Sequence, residues 1–307
     1  MIEIDGESLR IEDVVAVARN FEKVRIADKV KKKVDRSRKI IEDIIREGKV
    51  VYGVSTGFGE LARVRINRED MERLQENLIR SHSCGVGERL RRDLVRAMML
   101  LRANSLVKGY SGVRMDIIEM LVKMLNEKIH PVIPEKGSLG ASGDLIPLAY
   151  IALAMMGEGK VEVGNKILDA EEALKEANLK PIRMKAKEGL ALINGTQLCS
   201  ACLCFAIVDG ENLLKNALIA GAMSLEALKG TDQAFREEIH ALRPHRGQVK
   251  AARILWKLTR DSEIIRSHRN CPKVQDAYTL RCMPQVFGAV FDALDFARKI
   301  AEIEINS

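Results

Sequence analysis

One tripeptide of very small residues could build a reactive group from the backbone itself. Ala141-Ser142-Gly143 lies in the segment GSLGASGD, directly before an apolar stretch. If the Gly143 amide nitrogen attacks the Ala141 carbonyl and two waters leave, Ser142 becomes a dehydroalanine methylene on a five-membered imidazolone. Glycine has no Cβ to block this attack, and the product is an electrophile that no ordinary side chain supplies. In the alternative interpretation the tripeptide is a chance occurrence and Asp144 is an ordinary helix N-cap after a connecting loop.

A second glycine-rich segment, YGVSTGFG at residues 52–59, carries two aromatic side chains. Its GFG differs from a phosphate-binding loop, because no strand-GxGxxG-helix or GxxxxGKS pattern surrounds it. The sequence therefore favours no nucleotide cofactor. Closely spaced glycines let backbone approach a ligand, which makes Tyr52 and Phe58 candidate ligand contacts. The alternative for Tyr52 is a tyrosine packed beside a turn.

The composition favours helices as the elements that position these segments. The 307 residues are 47% hydrophobic and 30% charged, which is typical of a globular chain and excludes a disordered or collagen-like one. Only 4% are aromatic, so the core must come from aliphatic residues and Met, which suit helix packing better than sheets. Apolar periodicity is helical over residues 113–125, 194–230 and 284–307.

We therefore predict a mainly α protein, a long antiparallel helix bundle with a mixed N-terminal portion of short strands and loops. Residues 1–108 are predicted to form a mostly helical N-terminal domain, and residues 109–307 a central helical-bundle domain that is incomplete at its C-terminus. A short strand is expected over residues 49–54, and a hairpin over residues 159–168, where apolar residues alternate. The uncharged stretch 189–208 is long enough to span a membrane, but its polar residues favour a helix buried inside the bundle and no membrane association.

The net charge of +7 is concentrated in two clusters. Residues 23–49 include 11 basic and 5 acidic residues, and basic residues between 243 and 260 recur at helical spacing without an acid. Either cluster could bind nucleic acid, but no base-stacking aromatic residues interleave them. Solvated or subunit-pairing helix faces are therefore the favoured interpretation.

The six cysteines show neither a disulfide framework nor the spacing of a metal site. Cys199, Cys202 and Cys204 have apolar neighbours and are predicted to be core thiols, with no metal bound. Since the N-terminus has no apolar signal-peptide stretch, the cytoplasm is the expected location.

Five segments together resemble a known family. These are YGVSTGFG, SHSCGVG, GSLGASGDLIPLA, NGTQ at residues 194–197 and QDAYTLRCMPQ at residues 275–285. They are similar to the aromatic amino acid ammonia-lyase family, and most similar to its histidine ammonia-lyases, over residues 52–307. In that family the Ala-Ser-Gly tripeptide cyclises to a methylidene-imidazolone prosthetic group (MIO), which the resemblance assigns to Ala141, Ser142 and Gly143. The resemblance also implies a homo-oligomer, a tetramer in the family, with neither metal nor nucleotide.

The resemblance implies a role for several further residues. Ammonia is a poor leaving group and a β-hydrogen is weakly acidic, so its elimination needs activation at both ends. Tyr52 corresponds to the β-proton base, and Tyr278 to the tyrosine that faces the MIO. Asn194 corresponds to the amide that supports MIO formation and holds the substrate. Arg281 is expected to pair bidentately with the substrate carboxylate, and Gln275 is a weaker match to a second polar contact.

The predicted substrate depends on His82, in the segment SHSCG. A histidine here resembles the histidine-specific branch, where its imidazole can hydrogen-bond the substrate ring. The implied reaction is elimination of ammonia from L-histidine to give trans-urocanate. Tyrosine-specific relatives can also carry this histidine, so a tyrosine ammonia-lyase or aminomutase is an alternative. A purely structural imidazole is another.

The sequence departs from the family in length, because family subunits continue well beyond residue 307. The resemblance therefore leaves a second interpretation open, a catalytically incomplete subunit or fragment that acts as a structural partner of a complementary chain. Apolar side chains of the last helix, Val286, Val290, Leu294 and Ile300, are then expected to lack packing partners.

Overall fold

The computed structural model describes residues 1–138 and 143–307. Within these residues it has 14 α-helices, the longest of 31 residues, and seven strands of three or four residues each. The prediction of a mainly α protein with short strands is therefore confirmed. Ala141 and Ser142 of the predicted MIO tripeptide lie outside the described residues.

Contacts divide the described chain into two compact units. Unit 1 comprises residues 1–204 and 301–307, and unit 2 comprises residues 205–300. The predicted domain boundary between residues 108 and 109 falls inside unit 1, and it stays a prediction.

Within its described residues, unit 1 has eight complete helices, and the fourth of them is buried along most of its length. In chain order these are α1 (Ile11–Arg19), α2 (Lys31–Arg46), α3 (Met71–His82), α4 (Arg92–Leu106), α5 (Met115–Asn126), α6 (Leu145–Met155), α7 (Ala170–Glu176) and α8 (Glu188–Ile193). The guanidinium of Arg96 in α4 donates to the carbonyls of Val17 and Leu125. Because buried donors need partners, these bonds fix α1 and α5 against α4.

Seven short strands complete unit 1. They are β1 (Ile2–Ile4), β2 (Val24–Ile26), β3 (Val86–Arg89), β4 (Ile129–Pro131), β5 (Pro134–Lys136), β6 (Lys160–Val163) and β7 (Lys166–Asp169). β1 pairs with β2 in parallel, β3 with β5 antiparallel, and β4, β6 and β7 form an antiparallel sheet in the order β4-β6-β7. The predicted hairpin is confirmed as β6 and β7, which turn at Gly164 with φ +62°.

The predicted strand over residues 49–54 is wrong, because this segment closes on itself as a turn. The amides of Val54 and Ser55 both donate to the Val51 carbonyl. The Ser55 hydroxyl donates to the Lys49 carbonyl at 2.7 Å and accepts from the Val51 amide at 2.9 Å. A serine side chain thus satisfies backbone groups that a strand partner would otherwise pair.

Unit 2 is built from the remaining helices, which share an apolar cluster. Its helices are most of α9 (Gln197–Ala227), which begins in unit 1, then α10 (Glu237–Ala241), α11 (Arg246–Thr259), α12 (Glu263–Ser267), α13 (Tyr278–Arg281) and most of α14 (Met283–Glu304). The cluster includes Leu214 and Leu218 of α9, Leu255 of α11 and, at its edge, Leu294 of α14. The expectation that Leu294 lacks a packing partner is therefore wrong.

The expectation holds in part for the other three residues, Val286, Val290 and Ile300, which have 55%, 42% and 48% of their surface exposed. They lie off the side of α14 that packs on the cluster. Together they form an apolar face of α14 that the described residues leave about half uncovered.

Helix α9 is apolar enough by length and composition to cross a membrane, and it is the one such helix among the described residues. Of its most apolar window, 39% is buried. The buried side chains of α9 include Leu198, Ala201, Cys204, Leu214 and Leu218. The expected burial inside the protein therefore holds for part of the surface of α9 and not around the whole helix.

Candidate active site

Three mutually packed helices of unit 1 carry three of the predicted site segments. The Leu190 amide of α8 donates to the Gln75 side chain of α3 at 3.0 Å, and α6 packs against both helices. His82 is the last residue of α3, Gly143 lies two residues before α6, and Asn194 directly follows α8. The structure thus brings the segments of His82, Gly143 and Asn194 onto one framework.

Gly143 is held against Gly195 by a short parallel bridge. Its φ is +89°, a left-handed conformation that favours glycine. A Cβ added at Gly143 would lie 2.3 Å from the Gly195 carbonyl oxygen. The next amide, of Asp144, donates to that same oxygen at 2.6 Å. No residue with a side chain fits at position 143 without displacing this backbone contact.

The side chain of Asp144 caps a different helix from the one expected. Asp144 occupies the N-cap position of α6, but its side chain makes no capping bond there. Its carboxylate is fully buried and accepts instead from the Cys199 amide in the first turn of α9, at 3.0 Å, and from the Ser138 hydroxyl, at 2.6 Å. A carboxylate at a helix N-terminus satisfies free amides and interacts favourably with the helix dipole. Asp144 therefore ties the Gly143 segment to the start of α9.

A buried arginine, which the sequence did not single out, holds the segment that follows α8. Nη1 of Arg102 donates to the Asn194 carbonyl at 2.9 Å and to the Gln197 side-chain oxygen at 3.0 Å. Arg102 is 4% exposed, and burial lowers its pKa to about 10. A Cβ added at Gly195 would lie 2.3 Å from its Nη1. The Asn194 side chain itself is exposed, as a ligand-binding amide requires.

Tyr52 lies beside the same framework, on the turn that precedes residue 59. A Cβ added at its neighbour Gly53 would lie 2.5 Å from the Leu190 side chain of α8, so this turn packs directly on α8. The Tyr52 ring is 54% exposed and meets Phe58 edge to face, with ring centroids 6.3 Å apart. Its phenol oxygen accepts from the Gly59 amide at 3.3 Å. The phenol is thus oriented by its own loop while one side stays open.

The hydrogen bonds of His82 define which ring nitrogen is free. Nδ1 lies 2.9 Å from the Leu78 carbonyl oxygen, which only accepts, so Nδ1 carries the proton in that bond. In the neutral ring Nε2 is then an acceptor. His82 can therefore accept a hydrogen bond from a ligand N–H or O–H group.

The remaining predicted site residues belong to unit 2. Tyr278 begins the four-residue helix α13 and is 73% exposed, and the Arg281 guanidinium lies 5.3 Å from its ring centroid. Nε of Arg281 donates to the Asp276 carbonyl at 3.0 Å. This bond occupies Nε and leaves Nη1 and Nη2 of Arg281 as donors. Gln275 is exposed and lines a cavity of about 290 Å³.

The prediction of core thiols is wrong for two cysteines. Cys204 is buried, but Cys199 and Cys202 lie on other sides of α9 and are exposed. Partial burial of the sulfur and the nearby Asp144 carboxylate raise the pKa of the Cys199 thiol, which keeps it protonated. Across residues 1–138 and 143–307, no group of three or more His, Cys, Asp or Glu could hold a metal ion.

Comparison with known proteins defines the class. The family described as aromatic amino acid lyase matches residues 9–307, and the chain belongs to this family. It is 48% identical over 304 residues to the histidine ammonia-lyase of Caldanaerobacter subterraneus subsp. tengcongensis, covering 99% of this chain and 60% of that protein. It is 51% identical over 304 residues to the histidine ammonia-lyase of Gloeobacter violaceus, covering 99% and 59%.

A solved structure supports the same class. The tyrosine aminomutase of Streptomyces globisporus superposes with a TM-score of 0.92 at 36% identity, over 100% of this chain and 61% of that one. The chain therefore spans about 60% of the length of the curated relatives it matches.

Proposed function

We propose that the chain provides the catalytic machinery of a carbon-nitrogen lyase that eliminates ammonia from L-histidine to give trans-urocanate. The observation that carries the proposal is the position of Gly143, in left-handed conformation against Gly195 and beside Asn194. Identity near 50% to histidine ammonia-lyases supports the choice of reaction. The six cysteines, all in the described part of the chain, are free, which supports the proposed cytoplasmic location.

The residues around Gly143 fit an MIO group built from Ala141, Ser142 and Gly143. A nucleophilic amide at position 143 needs a residue without a Cβ, and the space around Gly143 admits only glycine. Asp144 holds the C-terminal end of the tripeptide through its buried carboxylate. When formed, the MIO supplies the electrophile that makes the amino group of the substrate a better leaving group.

The roles that the family resemblance implies for the side chains agree with the atoms that each leaves free. In its deprotonated form Tyr52 takes the β-proton and becomes a neutral phenol, and Asn194 offers its exposed side-chain amide to the substrate. Arg281 binds the carboxylate through Nη1 and Nη2, since its Nε is already occupied. Tyr278 contributes its exposed phenol, and Gln275 a second polar contact.

His82 recognises the substrate ring by accepting a hydrogen bond at Nε2. The imidazole N–H of L-histidine and the phenol O–H of L-tyrosine are both donors, so the geometry of His82 admits either ring. The higher identity to histidine ammonia-lyases favours L-histidine over the tyrosine alternatives.

The purified chain tests this proposal directly. Incubation with L-histidine should produce the ultraviolet absorbance of urocanate, and the intact mass should be lower than the sequence mass by two water molecules. Ser142→Ala should abolish both, while Ser224→Ala, at an exposed position of α9 in unit 2, should retain the mass loss. An unmodified intact mass would contradict the MIO assignment, and turnover of L-tyrosine but not of L-histidine would contradict the proposed substrate.

A second candidate function rests on the apolar face of α14. Val286 is 55%, Val290 42% and Ile300 48% exposed, and such a face favours a packed partner. We propose that this face pairs with further copies of the chain or with a complementary chain. Chromatography with light scattering tests the assembly, and activity that appears only on adding a second polypeptide would favour the complementary chain. A monomer that is fully active alone would contradict both forms of this candidate.

A further inference from the structure

A cavity of about 550 Å³ lies between α2 and the loop at residues 108–112, and its lining contains none of the predicted site residues that the structure describes. A cavity of this size suits one small molecule and not a long strand. Among the described residues, no carboxylate lines it. Its cationic lining consists of Lys33, Arg36, Lys108 and Lys187.

Backbone contacts give this cavity a fixed shape. Gly109 and Gly112 both have left-handed φ values, of +77° and +74°. An added Cβ at Gly109 would lie 2.7 Å from the Lys33 backbone, and one at Gly112 would lie 2.4 Å from the Ile41 side chain. The Gly112 amide also donates to the Ser37 hydroxyl at 3.0 Å. The loop is therefore pressed onto α2, and the cavity is preformed.

Lys187 presents a partly buried charge with no carboxylate within ion-pair distance. Among the described residues its ammonium has one polar contact, with the Ser111 carbonyl at 3.5 Å. Burial, and then the charge of Arg102, lower its pKa. Lys33 differs, because its ammonium pairs with Glu7 at 3.0 Å. A partly buried cation without a counter-ion is unfavourable, and a bound anion would offset that cost.

An exposed aromatic ring lies at the same cavity. Tyr110 is 87% exposed, and Ile40, which also lines the cavity, is 54% exposed. The sequence argued against nucleic-acid binding because no aromatic residue interleaves the basic segment 23–49. The fold supplies that aromatic residue from a different part of the chain. Cations and a flat ring at one site are the combination that binds a phosphate attached to a planar base.

We propose that this cavity binds a nucleoside phosphate, with its phosphate against Arg36 and Lys187 and its base against Tyr110. Guanidinium and ammonium groups are the usual protein partners of phosphate oxygens, and an aromatic face accepts any base. The site is separate from the proposed lyase chemistry, so its test requires no turnover.

Isothermal titration of the full chain with AMP, and separately with inorganic phosphate, tests the proposal. Tyr110→Ala should weaken AMP binding at least about fivefold and leave phosphate binding unchanged, because base stacking is lost. Arg36→Ala, at an exposed position where folding is not at stake, should weaken both ligands. Lys187→Met should do the same. The matched control is Lys39→Ala, an exposed lysine of α2 that does not line the cavity, and it should bind like the unaltered chain.

Three results would overturn the proposal. One is the absence of AMP binding at millimolar concentration. Another is an equal loss of binding in Lys39→Ala, which would show a diffuse charge effect. The third is an RNA oligomer that binds more than tenfold tighter than AMP and depends on the same side chains, which would assign the face to nucleic acid instead.

Discussion

Replacing Arg102 by Met removes the donor that holds the Asn194 segment. The guanidinium is 4% exposed and donates to the Asn194 carbonyl and to the Gln197 side chain. Methionine has similar length and packs readily in irregular apolar space, so the substitution removes the charge and the donors with little change in volume.

Two opposing contributions decide the effect of Arg102→Met on stability. Each of the two part-buried acceptors left without a donor costs at most about 1–3 kcal/mol. Against this, burial lowers the pKa of Arg102 from 12.5 to about 10, which corresponds to about 3 kcal/mol of unfavourable burial of its charge. The two contributions largely cancel, so we expect the free energy of unfolding to change by less than about 3 kcal/mol. Activity should fall far more, about 100-fold, because a displacement of about 1 Å at a positioned group has that effect.

The assay follows urocanate absorbance for kcat and KM, together with urea unfolding of the same sample. Arg96→Met is a matched control, since Arg96 is also buried and its pKa is also lowered to about 10 by burial. Its guanidinium bonds Val17 and Leu125, outside the candidate site. We expect Arg96→Met to lower stability while the folded fraction keeps kcat/KM within about twofold.

Retention of full kcat/KM by a folded Arg102→Met chain would refute the positioning role. So would an equal fall of kcat/KM in Arg96→Met, because a general loosening of the fold would then explain both. The mass loss of two waters gives a readout that needs no turnover. If Arg102→Met lacks this mass loss and Arg96→Met keeps it, Arg102 is needed for formation of the MIO ring as well.

Three further predictions concern single residues. Gly143→Ala should leave the intact mass unmodified in mass spectrometry, because its Cβ would lie 2.3 Å from the Gly195 carbonyl oxygen. Burial lowers the pKa of His130 to about 3 from 6.5, so the unfolded chain binds a proton that the folded chain does not. The free energy of unfolding should therefore fall between pH 6.5 and 3, by about 1.4 kcal/mol per pH unit, and urea titrations of His130→Gln should lack this contribution. Glu188→Gln should cost about 3–5 kcal/mol in thermal or urea unfolding, because the fully buried carboxylate pairs with Arg114 at 2.9 Å.

Sequence patterns predicted the elements whose causes are local. Helical periodicity and the alternation around Gly164 depend on neighbours a few residues apart, and the helices and the β6-β7 hairpin follow them. The strand predicted over residues 49–54 is wrong, and the cause there is also a local one. There the Ser55 hydroxyl competes for backbone groups, and an apolar pattern does not reveal that competition.

The parts of the site that the sequence missed depend on contacts between distant segments. Asp144 looked like the cap of the next helix, but its carboxylate caps α9, which begins more than fifty residues later. Arg102 lies in an apolar helix without any motif, and its role is visible only once α4 packs beneath Asn194. The exposure of Cys199 likewise depends on which side of α9 is covered. Tertiary packing decides all three, and no periodicity encodes it.

The short bridge between Gly143 and Gly195 also implies an order of events during maturation. These glycines come from separate parts of the polypeptide, so they meet only when α6 and α8 have docked. Ring closure at the tripeptide, as we propose it, is then one of the last steps in making the protein. A nascent or misfolded copy would carry an inert serine. Chains that never reach the native state would therefore not expose a reactive methylene in the cell.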